Sequence, residues 1–87
     1  MNKQPYLECA QIVGTHGVRG TVRLENRTDS PAALASLPRM YYRDRASGEY
    51  RPLRVVRASV QKNTVLAAFD AITTLEDAIP WRGTVLY

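Results

Sequence analysis

Apolar and polar positions alternate most cleanly over Thr21–Asn26, where Val22 and Leu24 share one side and Arg23 and Glu25 the other. A period of two predicts a half-buried antiparallel strand. Residues 6–13 mix Tyr, Leu, Cys, Ile and Val with Glu8 and Gln11 and predict a strand of about eight residues. Its imperfect alternation fits a strand that bends or is buried on both faces at one end. Arg39–Arg43 reads as a short strand in which Tyr41 and Tyr42 face opposite ways, so at most one is core. Residues 51–60 read as a long strand whose phase changes. Leu53 and Val55 fall on one side, and Val56, Ala58 and Val60 on the other. A β-bulge or sharp bend near Val55-Val56 reconciles them, and closing a small barrel needs such bends. Thr64–Phe69 is the return strand, with Val65, Ala67 and Phe69 together, and residues 84–87 form a closing strand.

The connections carry their own signals. Gln61-Lys62-Asn63 predicts a tight hairpin turn, with Asn63 tolerant of the left-handed conformation. Asp29 or Ser30 suits a helix N-cap and Pro31 the first helical position. Residues 32–37 then form one or two helical turns ended by Pro38, with Leu34 and Leu37 plugging a barrel mouth. Residues 44–50 are a polar connection with Gly48 at its turn. Thr73 or Thr74 opens a second short helix with Glu76 or Asp77 three residues on, the Thr73–Glu76 pair completing a capping box. Pro80 disfavours helix at Ile79 and keeps that helix brief. Six short strands with one or two short helices predict an all-β fold, a closed or nearly closed six-stranded antiparallel β-barrel.

With 87 residues the chain makes one domain with one modest core. Hydrophobic residues at 45% and charged residues at 23% exclude a disordered composition. No apolar run approaches the roughly 18 residues of a membrane span. Met1-Asn2-Lys3-Gln4-Pro5 lacks the apolar region of a secretory signal, so no membrane partner is expected. The one cysteine, Cys9, falls in an apolar stretch and reads as a small core residue; without an internal disulfide, a reducing cytoplasm is expected. The net charge of +4 rests mainly on arginine. Planar guanidinium forks suit phosphate and carboxylate, which leans toward a nucleic-acid-rich setting. Acids such as Glu8, Glu25, Asp44 and Glu49 are interspersed, however, and a solvated strand face explains many arginines equally well.

Gly14-Thr15-His16-Gly17-Val18-Arg19-Gly20 places three glycines at a spacing of three between two strands. Glycine is favoured where φ is positive or another backbone approaches closely. The spacing is not that of a dinucleotide fingerprint, and the following segment is a strand where that motif needs a helix. The P-loop lysine is absent. Gly17-Val18-Arg19-Gly20 matches the GXXG clamp of KH domains, but that loop sits between helices. His16, the single histidine, has no nucleophile–acid context, so no catalytic residue is assigned. No Cys, His or carboxylate cluster has metal-ligand spacing, and no metal or cofactor is expected. Asp70, Glu76 and Asp77 suit helix capping better than acid–base work. Stacking aromatics for nucleic acid would have to come from strand residues that pack in the core by default.

Residues Ala10-Gln11-Ile12-Val13 with the glycine loop, Thr21-Val22-Arg23-Leu24 and Thr28-Asp29 resemble the start of the ribosome maturation factor RimM family. Phe69-Asp70-Ala71-Ile72, Glu76-Asp77-Ala78 and Arg82-Gly83-Thr84-Val85-Leu86-Tyr87 resemble the end of that family's first domain, in the right order and at the right distances. Ala10 stands where a glycine is usual, Ala71 replaces a small residue or glycine nearby, and Pro80-Trp81 replace a helix-continuing residue and leucine. Trp81 can still fill the apolar slot. The resemblance implies a six-stranded barrel akin to those of translation factors, spanning residues 1–87 as an N-terminal domain. In the family a linker and a PRC-type barrel follow, the linker beginning where Tyr87 stands. It also implies a non-enzymatic role in maturing the head of the small ribosomal subunit. The implied partners are the small-subunit ribosomal protein numbered nineteen and the pre-small subunit, with rRNA close by. A monomeric, cytoplasmic domain is expected. The candidate partner-binding residues are Thr15, His16, Gly17, Val18, Arg19, Gly20 and Arg23. A barrel that binds RNA directly is the alternative.

Overall fold

Strand β2, Thr21–Asn26, lies near the middle of the sheet and shows why the barrel forms. Val22 and Leu24 are fully buried while Arg23 and Glu25 are exposed, so one face of the strand leaves water and the other stays in it. A computed structural model describes residues 7–87. Around β2 run β1 (Ala10–His16), β3 (Arg39–Arg43), β4 (Tyr50–Gln61), β5 (Thr64–Phe69) and β6 (Val85–Leu86). Two short helices, α1 (Pro31–Ala35) and α2 (Leu75–Ala78), complete the set, and a 3-10 turn over Ile79–Trp81 extends α2. The sheet order is β3-β4-β5-β2-β1-β6, with every pairing antiparallel. The ends of the sheet meet where Tyr41 and Tyr87 exchange backbone hydrogen bonds of 2.8 Å in both directions. The expected six-stranded, nearly closed barrel is the observed fold.

The interior is filled from every strand and capped by α1. Ile12, Leu24, Met40, Leu53, Val65 and Phe69 are essentially inaccessible, and burying each such side chain contributes roughly 1.5–3 kcal/mol. Ser30 caps α1 by accepting the Ala33 N–H at 3.1 Å, Pro31 occupies the first turn, and the helix drives Leu34 fully into the core. Leu37 packs against the same cluster, so the predicted pair of leucines does plug the barrel. Cys9 is also buried, and that burial pushes its thiol pKa above the ordinary value.

The phase change in β4 is a bulge. Its register with β5 shifts between Val55 and Arg57, so Val55 packs toward the core and Val56 is left exposed. Several local expectations are corrected. β1 begins at Ala10 and runs through Gly14 to His16, because its pairing with β2 continues past a second bulge at Val13; the predicted strand start at Tyr6 lies outside the described residues. In the β4–β5 turn the left-handed residue is Lys62 (φ 57°), not Asn63. Of the two threonines open as the α2 cap, Thr74 takes the role and accepts the Asp77 N–H at 3.1 Å. The Asp77 carboxylate in turn accepts from the Thr73 hydroxyl at 3.2 Å and the Thr73 N–H at 3.4 Å, so the return bonds go to the residue before the cap and the Thr73–Glu76 box gives way to this arrangement. Pro80 does not keep Ile79 out of helical backbone as expected: Ile79 has φ −54° and ψ −47°, and Pro80 sits early in the 3-10 turn that continues from Ala78, where its missing N–H costs no bond.

Between β3 and β4 the connection is held by Asp44. Its carboxylate accepts the Ala46 N–H at 2.9 Å and the Arg51 Nε–H at 2.9 Å. Those bonds, the Ala46 amide first and Arg51 second, hold the Asp44 pKa below its ordinary value. Among the described residues no helix is long and apolar enough to cross a membrane, and no cluster of His, Cys, Asp and Glu could hold a metal ion.

Candidate binding site on the first hairpin

The three glycines do separate things. Gly14 lies inside β1, opposite Arg23, just past the bulge. It has no positive φ; a Cβ there would rest 3.6 Å from the Arg23 guanidinium, an ordinary contact. Gly17 and Gly20 bracket the true four-residue loop and hold φ of +72° and +80°. Gly20 is buried, and a Cβ on it would sit 2.5 Å from the Ile72 carbonyl oxygen. So Gly20 is required twice, for its conformation and for the close approach of the 72–73 backbone.

That approach anchors the loop. The Leu75 N–H at the start of α2 donates to the Val18 carbonyl at 3.1 Å. With Gly20 packed against Ile72 and His16 paired across to Thr21, the tip is fixed at its base and on one side. Val18 nevertheless stands 73% exposed at the tip, with His16, Gly17 and Arg19 exposed around it. A large apolar side chain held in water on an immobilised loop can be buried by a partner without first ordering the backbone, and this lowers the entropic cost of binding.

The predicted site residues therefore fall into three groups. His16, Gly17, Val18 and Arg19 form the exposed tip and its rim. Gly20 is buried and supports that tip without facing a partner. Thr15 and Arg23 lie further down the hairpin, Thr15 half-buried within β1 and not at the tip as the motif alone suggests. Both line a shallow cleft of about 230 Å³ with Val13, Gly14, Ile79 and Arg82. Val13 and Ile79 are exposed and share that cleft with the two arginines. Val13, Ile79 and Arg82 escape a sequence reading because the fold brings residues 79–82 against β1. One local signal was present: Val13 sits on the bulge that turns it outward. Ion pairs among the described residues gather on Arg27, with Glu8 and Glu25, and on Arg51, with Asp44 and Glu49. Arg19, Arg23 and Arg82 enter none of them.

The class these features define is a small antiparallel β-barrel whose first hairpin turns on two positive-φ glycines and is braced by a short helix. The profile of the RimM N-terminal domain matches residues 7–87, and the chain belongs to that family. A ribosome maturation factor RimM from Bacillus pumilus is 36% identical over 86 residues, covering 97% of this chain and 49% of the relative. Another from Nitrobacter hamburgensis is 35% identical over 78 residues, covering 90% of this chain and 43% of the relative. A RimM crystal structure from Pseudomonas aeruginosa shares the fold with a TM-score of 0.78 at 24% identity, over 93% of this chain and 49% of that one. The chain thus spans about half the length of the curated relatives it matches.

Proposed function

We propose that this domain serves in maturation of the small ribosomal subunit as a non-catalytic binding module in the cytoplasm. It does so by gripping the small-subunit ribosomal protein numbered nineteen through the tip of the β1–β2 hairpin. Membership of the RimM family and the names of the relatives support the maturation role. The observation that carries the contact is the exposed Val18 beside Arg19 on a loop anchored to α2. The chemistry is that of association: an apolar side chain loses water against a partner pocket, and Arg19 adds a directional fork for a carboxylate or carbonyl. Such binding favours one conformation of the maturing subunit only to the extent that its affinity for the two conformations differs.

The test is capture of that ribosomal protein from lysate, with and without RNase, on wild-type protein, Arg19→Ala and Val18→Ser. Both variants change exposed side chains and leave the loop glycines intact. The expected result is capture that survives RNase and is lost on either substitution. Equal capture by wild type and both variants overturns the hairpin tip as the interface. Capture that vanishes with RNase shows that RNA bridges the two proteins.

A further inference from the structure

The outer face of β3 and β4 carries a second concentration of charge that the hairpin does not explain. Arg39 and Arg54 are register partners in the antiparallel pair, so their side chains rise from the same face directly across from each other. Both are exposed, and neither enters an ion pair or side-chain hydrogen bond among the described residues. Like charges directly opposite on a sheet destabilise it, so this arrangement works against the fold that holds it. The contrast is local: Arg51, three residues earlier on β4, is neutralised by Asp44 and Glu49. Pro38 and Pro52 flank the pair and with it line a cleft of about 450 Å³. The β4 bulge then adds a third cation. Three residues along a regular strand, Arg54 and Arg57 would point to opposite faces. Because the register shifts between Val55 and Arg57, Arg57 lies outward with Arg54, while Ala58 pairs with buried Ala67.

We propose that Arg39, Arg54 and Arg57 form a cradle for the phosphodiester backbone of single-stranded RNA. Guanidinium forks bind phosphate oxygens in a bidentate manner, and a phosphate between Arg39 and Arg54 turns their repulsion into attraction to a shared anion. A protein partner fits less well. Protein interfaces have an apolar centre depleted of charge, whereas the cleft here is lined by two arginines and two prolines. The cradle reads no sequence, because phosphate contacts position a strand without discriminating bases. It is separate from the hairpin tip: β5 lies between β4 and the β2–β1 pair in the sheet. Failure of either site therefore leaves the other standing.

The experiment is a fluorescence-anisotropy titration of oligouridylate and oligoadenylate, each about a dozen nucleotides long, across a range of salt concentrations. Wild type is compared with Arg39→Gln/Arg54→Gln and with Arg43→Gln/Arg45→Gln, which removes the same charge from the end of β3 and the connection after it. For single strands the log–log salt slope is about −0.7 per neutralised phosphate, so the first double variant is expected to lose about 1.4 of slope. Its affinity near 0.1 M salt should fall on the order of tenfold, equally for both oligomers, with a smaller loss in the control. Its melting temperature at low salt should not fall, because repulsion has been removed. Should it melt lower, Arg39→Lys/Arg54→Lys decides the matter: retention of the wild-type slope supports the cradle and its loss overturns it. Unchanged RNA affinity, or equal losses in the two double variants, overturns the proposal. So does a variant that keeps RNA but loses salt-sensitive capture of an acidic protein, which would make this face a protein contact.

Discussion

Gly17 and Gly20 have the same sign of φ and almost the same value, yet they differ in what surrounds them. Around Gly17 a Cβ would meet open space, whereas at Gly20 it would press into the Ile72 carbonyl, a backbone atom that cannot swing away. Gly17→Ala is therefore expected to cost only the left-handed conformation, about 1–2 kcal/mol. Gly20→Ala adds overpacking against a fixed backbone and is expected to cost about 3 kcal/mol or more. Thermal melts separate the two, since each kcal/mol shifts the midpoint by about 4–8 °C in a domain of this size. Equal losses would mean that the 72–73 backbone yields freely. The need for positive φ was legible in the glycine pattern itself. The close approach was not, since Gly20 and Ile72 are 52 residues apart and only tertiary folding brings them together.

At the scale of elements, the β3–β4 connection shows how one side chain sets a turn. Asp44 accepts the Ala46 N–H and holds Arg51, while the Gly48 N–H donates to the Asp44 carbonyl at 2.7 Å. A carboxylate whose folded pKa is depressed contributes stability that is fully present above its unfolded value. That contribution is lost as pH falls through the lower folded value. NMR titration should place the Asp44 midpoint below the ordinary value of 3.8, with the Ala46 amide shift following it. Arg51→Gln should raise that midpoint only in part, because the Ala46 amide is the larger cause. A midpoint at or above the ordinary value would show that the turn is not closed by this carboxylate. The bulge in β4 was foreseen from its phase change alone, since a two-residue period cannot otherwise bury both Val55 and Ala58. The α2 cap stays open between two threonines in the sequence because Thr73-Thr74 and Glu76-Asp77 offer two pairings at the same spacing. Which threonine takes extended backbone depends on the incoming turn, where Ile72 is bridged back to Phe69.

Across the whole molecule, the barrel is closed unevenly. Four register pairs join β2 to β5 at the centre of the sheet. The β3–β6 seam is held by the reciprocal Tyr41–Tyr87 bonds and by the packing of Tyr42 on Trp81, rings 4.9 Å apart and nearly perpendicular. Native-state hydrogen exchange should find the Tyr41 and Tyr87 amides opening locally, on the order of 100-fold faster than bonded amides of β2 and β5. Matching rates would mean that the seam opens only with the entire barrel. What the sequence determined by itself is what depends on neighbours along the chain: strand period, the β4 bulge, a helix start at Asp29 or Ser30 with Pro31 in its first turn, and the glycines able to hold positive φ. Those local choices agree with one another, which is why they were enough to predict a six-stranded barrel. Tertiary structure alone decided which residues share a surface. It brought Val13, Ile79, Arg23 and Arg82 to one cleft, set Arg39 across from Arg54, and buried Gly20 while leaving Val18 in water. Such pairings follow from strand register and closure, which are set by the packing of the entire core and not by any single segment.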